Sequence, residues 1–536
     1  MKAKIISMML SCFAIGAAAQ ETYESAQLAT QDLNGTARYI GMGGAMEALG
    51  ADISTMGTNP AGIGLFRRSW IGLSGGATIQ NGNDNRNTLP GIGTDKGITN
   101  ADLNQVGFVY SSKFSYNSRF NVGFNYTKSR NFNQIISAMN ALDGLSSSNK
   151  LSAMRFANVE QDDKAIALID DLNLYAVNDA YSDYDNDKFG FKGANGYNAN
   201  RKNEGYIGEY DFNFSTNFND RVYLGLTFGV KDVHYRSYST YGEALDRAYT
   251  FDYSGEAEVP GSTIGGNYRS YDDREVTGTG FDLKFGAIIR PSEYSPFRFG
   301  LYMHTPTWYD LKANIRMGVN ATGIDGISEN KSVNWSYDYR ILTPWRFGVS
   351  LGHTIGKIVA IGATYEYADY SSIKNRIKTN SYRNYWGERY DTYANDIEMN
   401  NHTSKTLKGV SLVKLGIEIK PSQVLAFRLG YNYQSAIYEE NGYKDSNINT
   451  KRSDGQYYST HDWINWKATN RFTFGMGFTF DKNWTLDLSY QYAMQKGIYH
   501  PFETYDFESY GIYNTDKSYE VNNNRHQINA SVGYRF

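Results

Sequence analysis

The chain contains 536 residues with a nearly balanced charge, 53 basic against 56 acidic side chains, and it combines an aromatic content of 15% with only 9 prolines. The charge balance argues against a nucleic-acid partner. A single cysteine, Cys12, excludes an internal disulfide, and no run after position 20 approaches the ~18 apolar residues of a membrane helix.

The first 20 residues, MKAKIISMMLSCFAIGAAAQ, have the pattern of a secretory signal peptide. Lys2 and Lys4 precede a short apolar run, and small alanines follow it. We predict cleavage after Ala19 or Gln20, which leaves a mature chain without cysteine and therefore without thiolate metal sites. A lipoprotein acylated at Cys12 is an alternative, but apolar residues continue beyond that position.

Residues 21–68 form a second region, which is rich in glycine and alanine and has no strand pattern. It contains GMGGAMEALG (41–50), which superficially suggests a dinucleotide fingerprint. That function is excluded because Met46 stands where a glycine is needed and no buried strand precedes the run. We interpret the region as a compact plug whose small residues pack closely against a wall, with Pro60 in a turn or at the start of a short helix.

From residue 69 onward, apolar and polar residues alternate with period two. In RFTFGMGFTF (471–480), the phenylalanines and Met476 fall on one face, and Thr473, Gly475, Gly477 and Thr479 fall on the other. Segments of this kind match the ~9 to 11 residues that cross a bilayer at barrel tilt. Fourteen are predicted, near 69–80, 103–114, 119–129, 207–218, 221–233, 278–290, 297–305, 343–354, 357–370, 409–420, 424–434, 470–480, 483–494 and 525–536.

The connections alternate between tight turns, such as 115–118 and 481–483, and long loops rich in tyrosine, asparagine, aspartate and serine. This alternation is typical of outer-membrane barrels, whose backbone polar groups are all paired only if the sheet closes. We therefore predict an all-β, antiparallel transmembrane barrel of about 14 strands. Its third loop, roughly 130–206, has apolar residues at helical spacing in IISAMNALDGL, SAMRFANV and DKAIALIDDLNLYAV, and we expect it to be partly helical.

The run RYIGMGGAMEALGADISTMGTNPAGIGLFR (38–67) resembles the N-terminal signature of the FadL/TodX-type outer-membrane transporters of long-chain fatty acids and other hydrophobic compounds. GTGFDLKFGAIIRP (278–291) with FRFGLYMHTP (297–306), and LTPWRFGVSLGH (342–353), are similar to middle strands of that family. The resemblance implies that residues 21–68 are a periplasmic or lumenal hatch inside a barrel formed by 69–536. It places the family's hatch motif on Asn59, Pro60, Ala61 and Gly62.

The alternation assigns charged residues to the lumen, because a charge facing lipid near the membrane midplane costs ~2 to 4 kcal/mol. One interpretation is a salt-bridge network that makes the hatch or barrel rigid. The other is that one or two cations pair with a substrate carboxylate deep in the lumen. The candidates are Lys284, Arg298, Arg346, Glu366 and Arg428, with Asp487 among the inward positions.

Apolar residues of the third loop are candidates for an extracellular groove that captures a hydrophobic ligand. An equally open interpretation is that they form the private core of a loop subdomain. The candidates are Ile135, Ile136, Met139, Leu142, Met154 and Phe156.

Motifs of enzymes and metal sites are missing from the sequence. The seven histidines form no HExxH pattern, and we assign no serine to a nucleophile elbow. The acidic run DYDND (183–187) has Lys188 where a calcium loop needs glycine. We therefore predict no enzyme, metal or other cofactor.

These patterns together predict a monomeric protein of the bacterial outer membrane. Its expected partners are hydrophobic small molecules, long-chain fatty acids or similar compounds, and the surrounding outer-membrane lipid. We expect passive diffusion through the plugged barrel. Two alternatives stay open: a surface barrel that binds or adheres without transport, and a transporter of haem or aromatic ligands.

Overall fold

The structure is a computed structural model, and it describes residues 22–80, 98–147, 188–252, 257–258, 266–324, 327–383, 389–444, 462–502, 504–507 and 512–536. Short helices occupy Thr22–Ala29, Ala37–Gly41 and Ile397–Thr406, and 3-10 helices occupy Ile53–Gly57, Pro60–Leu65 and Tyr370–Ser372. Within the described residues, the structure contains no helix with the length and apolar character needed to cross a membrane.

Strands account for most of the remaining described chain. In chain order they are β1 Trp70–Gln80, β2 Ile98–Ser115, β3 Ser118–Asn131, β4 Gln134–Ala141, β5 Lys188–Phe218, β6 Val222–Asp252, β7 Ala257–Glu258, β8 Asn267–Ile289, β9 Arg298–His304, β10 Trp308–Ile324, β11 Ile327–Leu342, β12 Arg346–Ile355, β13 Val359–Asp369, β14 Lys374–Arg383, β15 Arg389–Asn395, β16 Gly409–Ile419, β17 Leu425–Gln434, β18 Trp463–Phe480, β19 Trp484–His500, β20 Tyr505–Phe507, β21 Ile512–Asn514, β22 Tyr519–Asn522 and β23 Arg525–Arg535.

The sheet closes on itself because β1 pairs antiparallel with both β2 and the last strand, β23. Closure gives β1 and β23, the first and last strands of the wall, neighbours on both sides, so neither is a free sheet edge. The chain crosses the described wall fourteen times, which confirms the predicted all-β barrel. Six crossings are divided into two consecutive strands each, namely β3–β4, β9–β10, β11–β12, β13–β14, β15–β16 and β22–β23.

The two ends of the barrel differ in their connections. At one end, which we call the turn end, short turns such as 219–221, 356–358 and 481–483 join successive strands. Asp481 and Lys482 have φ values of 48° and 61°, the left-handed backbone of a tight hairpin turn. Long connections leave the opposite end, the loop end, where β5 and β6 extend their pairing as far as Lys188 and Asp252.

The outer face of the wall carries an apolar belt of limited height. On β6, Val222, Leu224, Phe228 and Val230 are exposed. Beyond them the outward positions become polar at Asp232 and two later residues, His234 and Arg236. Residues 222–230 match the ~9 to 11 residues of a membrane-crossing strand, so this belt faces lipid.

Exposed aromatic residues border the belt on both sides, as in membrane barrels. Those near the turn end include Phe218, Phe480, Trp484 and Phe536, and those toward the loop end include Tyr210, Trp308, Trp345, Tyr367 and Tyr490. The alternation predicted for 471–480 is confirmed, since Phe472, Phe474 and Phe480 are exposed while Thr473 is buried.

The helical interpretation of IISAMNALDGL was wrong for most of that stretch. Gln134–Ala141 is strand β4, which pairs with β5 from Gln134↔Asn203 to Ala141↔Gly196. Ile136 and Ala138 are buried whereas Ile135 and Ser137 are half-buried, so the alternation of strand burial prevailed over the helical spacing. The other two stretches, SAMRFANV and DKAIALIDDLNLYAV, lie outside the described residues.

Candidate functional site in the barrel lumen

The inner surface of the wall contacts residues 22–66, which we call the N-terminal segment. The part from 35 to 66 lies against the turn-end half of the wall, where glycines let its backbone approach closely. These glycines are Gly225, Gly286, Gly300, Gly352, Gly362, Gly416, Gly430 and Gly475. A Cβ added at Gly362 would overlap the carbonyl of Ala45, and one at Gly416 would overlap the carbonyl of Met42.

Four of these glycines occupy paired positions on neighbouring strands. Gly352 pairs with Gly362, Gly362 pairs with Gly416, and Gly416 pairs with Gly430. The result is a smooth row across four strands that has room for the backbone of residues 42–49 but no room for larger wall side chains. Gly43, with φ +62°, passes over this row beside the backbone of Tyr431.

The N-terminal segment makes its own turns through side-chain caps. Thr36 accepts a hydrogen bond from the Tyr39 amide at 3.0 Å and donates its hydroxyl to Asp52 at 2.9 Å. Asp52 in turn caps the 3-10 helix that begins at Ile53. Such caps satisfy backbone donors that the first helical turn leaves free.

The predicted hatch motif lies in the second 3-10 helix of this segment. Asn59 precedes it, and its Oδ1 accepts the Ala61 amide at 3.2 Å, while Pro60 is the first helical residue. Asn59 and Ala61 are fully buried. A Cβ on Gly286 would overlap Asn59 Oδ1, so the motif lies directly on the wall.

In the turn-end half of the lumen, two groups of buried ion pairs join the segment to the wall. Lys414 donates to Glu47 at 2.6 Å, and Glu47 also accepts from Thr364 at 2.7 Å and from Tyr39 at 3.1 Å. Glu47 is fully buried and Lys414 is 4% exposed.

The second group surrounds Glu418 on β16. Arg38 Nε of the segment and Arg428 Nε of β17 donate to Glu418 Oε2 at 3.1 and 2.7 Å. Arg428 Nη1 also reaches Asp487 at 2.7 Å. This carboxylate therefore links the segment to two wall strands.

The remaining predicted lumenal residues also face inward and have protein partners. Arg298 donates to the Leu49 carbonyl at 2.9 Å. Arg346 donates to the Ala29 carbonyl at 2.6 Å, and Glu366 accepts from Tyr302 at 2.9 Å. The structure thus places Arg298, Arg346 and Arg428 where they contact the segment or its ion-pair network.

Lys284 lies in a separate buried cluster of the wall. It donates to Glu209 and, at 2.6 Å, to Asp211, and Asp282 lies 3.5 Å away. Because each lysine proton already faces a carboxylate, Lys284 supports the wall and is a poor candidate for a ligand contact.

The beginning of the segment, the helix Thr22–Ala29, lies in the loop-end half of the lumen. The Glu24 carboxylate accepts hydrogen bonds from Arg274 Nη1 at 2.6 Å and from the Tyr339 hydroxyl at 2.7 Å. Thr22 lies 2.8 Å from His402 Nδ1 on the helix Ile397–Thr406. The segment therefore extends from the turn end through most of the lumen.

Apolar residues surround this helix and continue beyond it. Tyr23 stacks on Tyr438, and Leu28 belongs to a buried cluster that includes Tyr235, Leu311 and other wall residues. Nearer the loop end, a second buried cluster joins side chains of the strand extensions, among them Ile136, Leu142, Tyr197, Met317 and Tyr499. The loop-end half of the lumen thus contains two apolar, aromatic clusters beside the buried pair of Glu24 and Arg274.

Two of the candidate groove residues are not on an exposed groove. Ile136 is 3% exposed and Leu142 is fully buried in the second cluster, so these two form a private core. Ile135 and Met139 are half-buried. Met154 and Phe156 lie outside the described residues.

Two cavities of about 100 Å³ each lie in the described part of the lumen, between the N-terminal segment and the wall. The first lies against β3, β18, β19 and β23. Because it is lined by Arg130, Arg471 and Arg525 on the wall and by Asp32 on the segment, we call it the arginine cavity. The second is lined by Tyr39, Arg346, Glu366 and Lys414, among others.

Asp32 ties the segment to β3 at the arginine cavity. Its Oδ1 accepts Arg130 Nη1 at 2.8 Å, and its Oδ2 accepts the Asn131 amide at 2.9 Å. Burial acts to raise the pKa of Asp32, but the positive charges of Arg130, Arg525 and Arg471 outweigh it and lower that pKa below its usual value.

These arginines were absent from the sequence-based candidates. Arg471 shares the inward parity of Thr473, so the alternation alone could have identified it. Asp32 could not have been found in that way, because it belongs to a segment without strand periodicity. No group of three or more metal-binding side chains occurs among the described residues.

Neither a protein-family model nor a curated protein matches the chain. Solved structures similar to it include the CymD monoaromatic hydrocarbon channel, with 12% identity, coverage of 95% of this chain and 99% of that chain, and a TM-score of 0.47. The Ralstonia pickettii toluene transporter TbuX has 13% identity, coverage of 94% and 99%, and a TM-score of 0.46. A Pseudomonas aeruginosa FadL homologue has 13% identity, the same coverage of 94% and 99%, and a TM-score of 0.48.

Proposed function

We propose that this chain is a channel of the bacterial outer membrane, in which residues 22–66 are the hatch of a barrel that transports hydrophobic small molecules inward by passive diffusion. The observation that carries the proposal is that the N-terminal segment lies inside the lumen without being a strand of the wall. Among the described residues, this segment is continuous with the wall only through 67–69, before β1, and otherwise contacts it noncovalently, so it can move without opening the wall.

The distribution of polarity supports a hydrophobic ligand. The loop-end half of the lumen has two apolar clusters, one around the helix Thr22–Ala29 and one beyond it. Apolar side chains there can exchange contacts with an apolar ligand at little cost, whereas a strongly hydrated solute would lose its water. Long-chain fatty acids or similar compounds fit this path.

The cavities favour transport over a surface barrel that only binds or adheres. A barrel that only binds or adheres needs no space for a solute beside the hatch. Here two cavities of about 100 Å³ adjoin the hatch on the side toward the apolar clusters. A ligand that leaves those clusters would next reach the cavities.

An engineered disulfide tests whether hatch movement is needed. The Ala37 amide donates to Ser531 Oγ at 2.6 Å, so Ala37→Cys with Ser531→Cys places two thiols at the contact between hatch and last strand. The natural cysteine, Cys12, lies in the predicted signal peptide and offers no competing thiol after cleavage. We expect the oxidised double variant to stop uptake of labelled fatty acids and hydrophobic aromatics, and a reductant to restore it.

The single variant Ser531→Cys is the matched control and should transport under both conditions. Cells without the gene give the background rate. Equal uptake with the oxidised and reduced double variant, or equal uptake with and without the gene, would reject transport through a moving hatch.

A further inference from the structure

We infer that the arginine cavity binds a doubly charged oxyanion, such as the phosphate monoester or dicarboxylate head of an amphipathic molecule. This inference rests on the proposed transport function, because it names the ligand class that the lumen selects. It starts from the charges that face the cavity.

The described residues that line this cavity carry more positive than negative charge. Arg130, Arg471 and Arg525 face one carboxylate, Asp32. Lys128 also lines the cavity, but it is paired with Asp102. Three guanidinium groups against one carboxylate leave an excess of two positive charges among the described lining residues.

Two of these arginines bind only neutral acceptors in the described structure. Arg471 Nη1 donates to Asn432 Oδ1 at 2.9 Å, and its Nη2 donates to Gln434 Oε1 at 3.3 Å. Arg525 Nε donates to Asn523 Oδ1 at 3.2 Å. Amide oxygens orient a guanidinium group but leave its charge in place, and an uncompensated buried charge is unfavourable.

Apart from Arg298, which donates to the Leu49 carbonyl, six other cations of the described lumen differ in this respect, since each lies within 4.0 Å of a carboxylate oxygen. They are Arg38, Lys231, Lys284, Arg346, Lys414 and Arg428. The described wall thus pairs these six cations with carboxylates, whereas Arg471 and Arg525 of the arginine cavity have amide acceptors.

Unused hydrogen-bonding atoms point to a polar ligand at the same place. Arg130 Nε and Gln491 Oε1 are buried without a hydrogen-bond partner in the described structure, and both residues line the cavity. Gln491 as a whole is only 6% exposed. The unused Arg130 donor suits an oxyanion, whose oxygens accept hydrogen bonds.

The mixture of apolar and charged side chains in the lining indicates an amphipathic molecule. Phe132, Ile437 and Trp466 line the same cavity as the arginines. Trp466 also packs against both apolar clusters of the loop-end half. An oxyanion head on the arginines can thus be continuous with an apolar body that points toward the loop end, and guanidinium forks bind phosphate or carboxylate in a bidentate manner.

Calorimetric titration of the purified full-length mature protein in a neutral detergent tests this inference. The probes are octyl phosphate, octylmalonate, octanoate, octanol and inorganic phosphate, which separate the charge of the head from the apolar chain. We expect octyl phosphate or octylmalonate to bind at least tenfold more tightly than octanoate, and octanol to bind most weakly. Inorganic phosphate that binds as tightly as octyl phosphate would reject the amphipathic ligand.

Variants assign the site to the arginines. Arg471→Gln and Arg525→Gln should each weaken binding of the dianionic probes at least tenfold and change octanol binding less than twofold. Asp32→Asn should strengthen binding of the dianionic probes, because the variant removes the carboxylate that competes for the arginines. General damage to the lumen would instead weaken that binding. Arg236→Gln, on the outer surface, is the control and should have no effect.

Equal affinity for octyl phosphate, octylmalonate, octanoate and octanol would overturn the inference, and so would unchanged binding in both arginine variants. The outcome is separable from transport. Binding that depends on the arginines without uptake in cells would reject only the channel function. Uptake that is unchanged in Arg471→Gln and in Arg525→Gln would reject only the oxyanion site.

Discussion

Removing the charge of Glu47 should release the hatch from the wall without damaging the barrel. In Glu47→Gln, the ammonium of Lys414 keeps its position but loses the carboxylate oxygen that lies 2.6 Å away. Removing one partner of a buried ion pair typically costs about 3 to 5 kcal/mol. Glu366 interacts electrostatically with Lys414 and compensates in part, so the lower end of that range applies.

A loss of about 3 kcal/mol corresponds to roughly a hundredfold increase in the population of the open hatch, since about 1.4 kcal/mol is tenfold. Hydrogen exchange followed by mass spectrometry measures this population, because peptides from 37–50 should lose roughly that factor of protection. Peptides from β18 and β19 should keep theirs, as their wall pairing is unchanged.

Two further variants distinguish the ion pair from general destabilisation. Glu47→Gln combined with Lys414→Met leaves no unpaired charge and should recover most of the lost protection. Lys420→Met removes a half-exposed partner of Glu418 and should change protection less than fivefold, because such pairs contribute about 0 to 1 kcal/mol. The reasoning is refuted if Glu47→Gln changes protection less than threefold, or if the double variant exchanges faster than the single one.

Three other predictions concern the same segment. Gly362→Val should displace the hatch and raise ion conductance in planar bilayers, because the valine side chain would overlap the Ala45 carbonyl. Gly57→Ala should conduct like the parent, because the nearest atom to its added Cβ lies 3.5 Å away. Equal conductance of the two variants would contradict the close-packing argument. Asn59→Ala should speed exchange in peptides covering 59–66 by roughly fivefold, since loss of an N-cap costs about 1 kcal/mol. Asn59→Ser keeps a neutral capping oxygen and should retain protection, so identical exchange in both variants would count against capping. Because the pKa of Asp32 is lowered in the folded chain, its contribution to stability is fully present above the usual value of 3.8 and is lost as the pH falls below that value. The protection of 22–34, measured relative to the intrinsic exchange rate at each pH, should therefore fall in acid for the parent chain and should already be low at neutral pH in Asp32→Asn. Protection in the parent chain that does not change in acid would disprove this role.

The sequence was most informative where one face of a strand contacts lipid. Phe472 and Phe474 had to face outward because a bilayer tolerates few polar groups, and period two then fixed the inward position of Thr473. The loop-end extensions were missed because no lipid imposes that alternation beyond the belt. Ile135 and Ile136 therefore looked helical, although pairing with β5 makes them a strand.

The lumenal contacts were predictable only in part. Inward parity identified Lys284, Arg346 and Arg428, but parity does not give the partner of a side chain. The partner of Lys414 is Glu47, 367 positions away in a segment with no strand periodicity, and only the folded chain joins them. The sequence shows that positions 352, 362, 416 and 430 are glycines. That these glycines form one row follows only from the register of four strands.

The two kinds of contact with the hatch have different consequences for its movement. Glycines opposite residues 42–49 provide a smooth surface with many weak contacts, which a sliding backbone can exchange one at a time. Glu47 and Glu418 instead provide few strong contacts that must break together. Movement of residues 37–50 should therefore be limited by these two carboxylates, whereas a ligand that enters the arginine cavity acts on a contact nearer the N-terminus, Asp32. An arriving oxyanion competes with Asp32 for Arg130, so occupation of the cavity would weaken the hatch at its connection to β3 and couple ligand entry to opening.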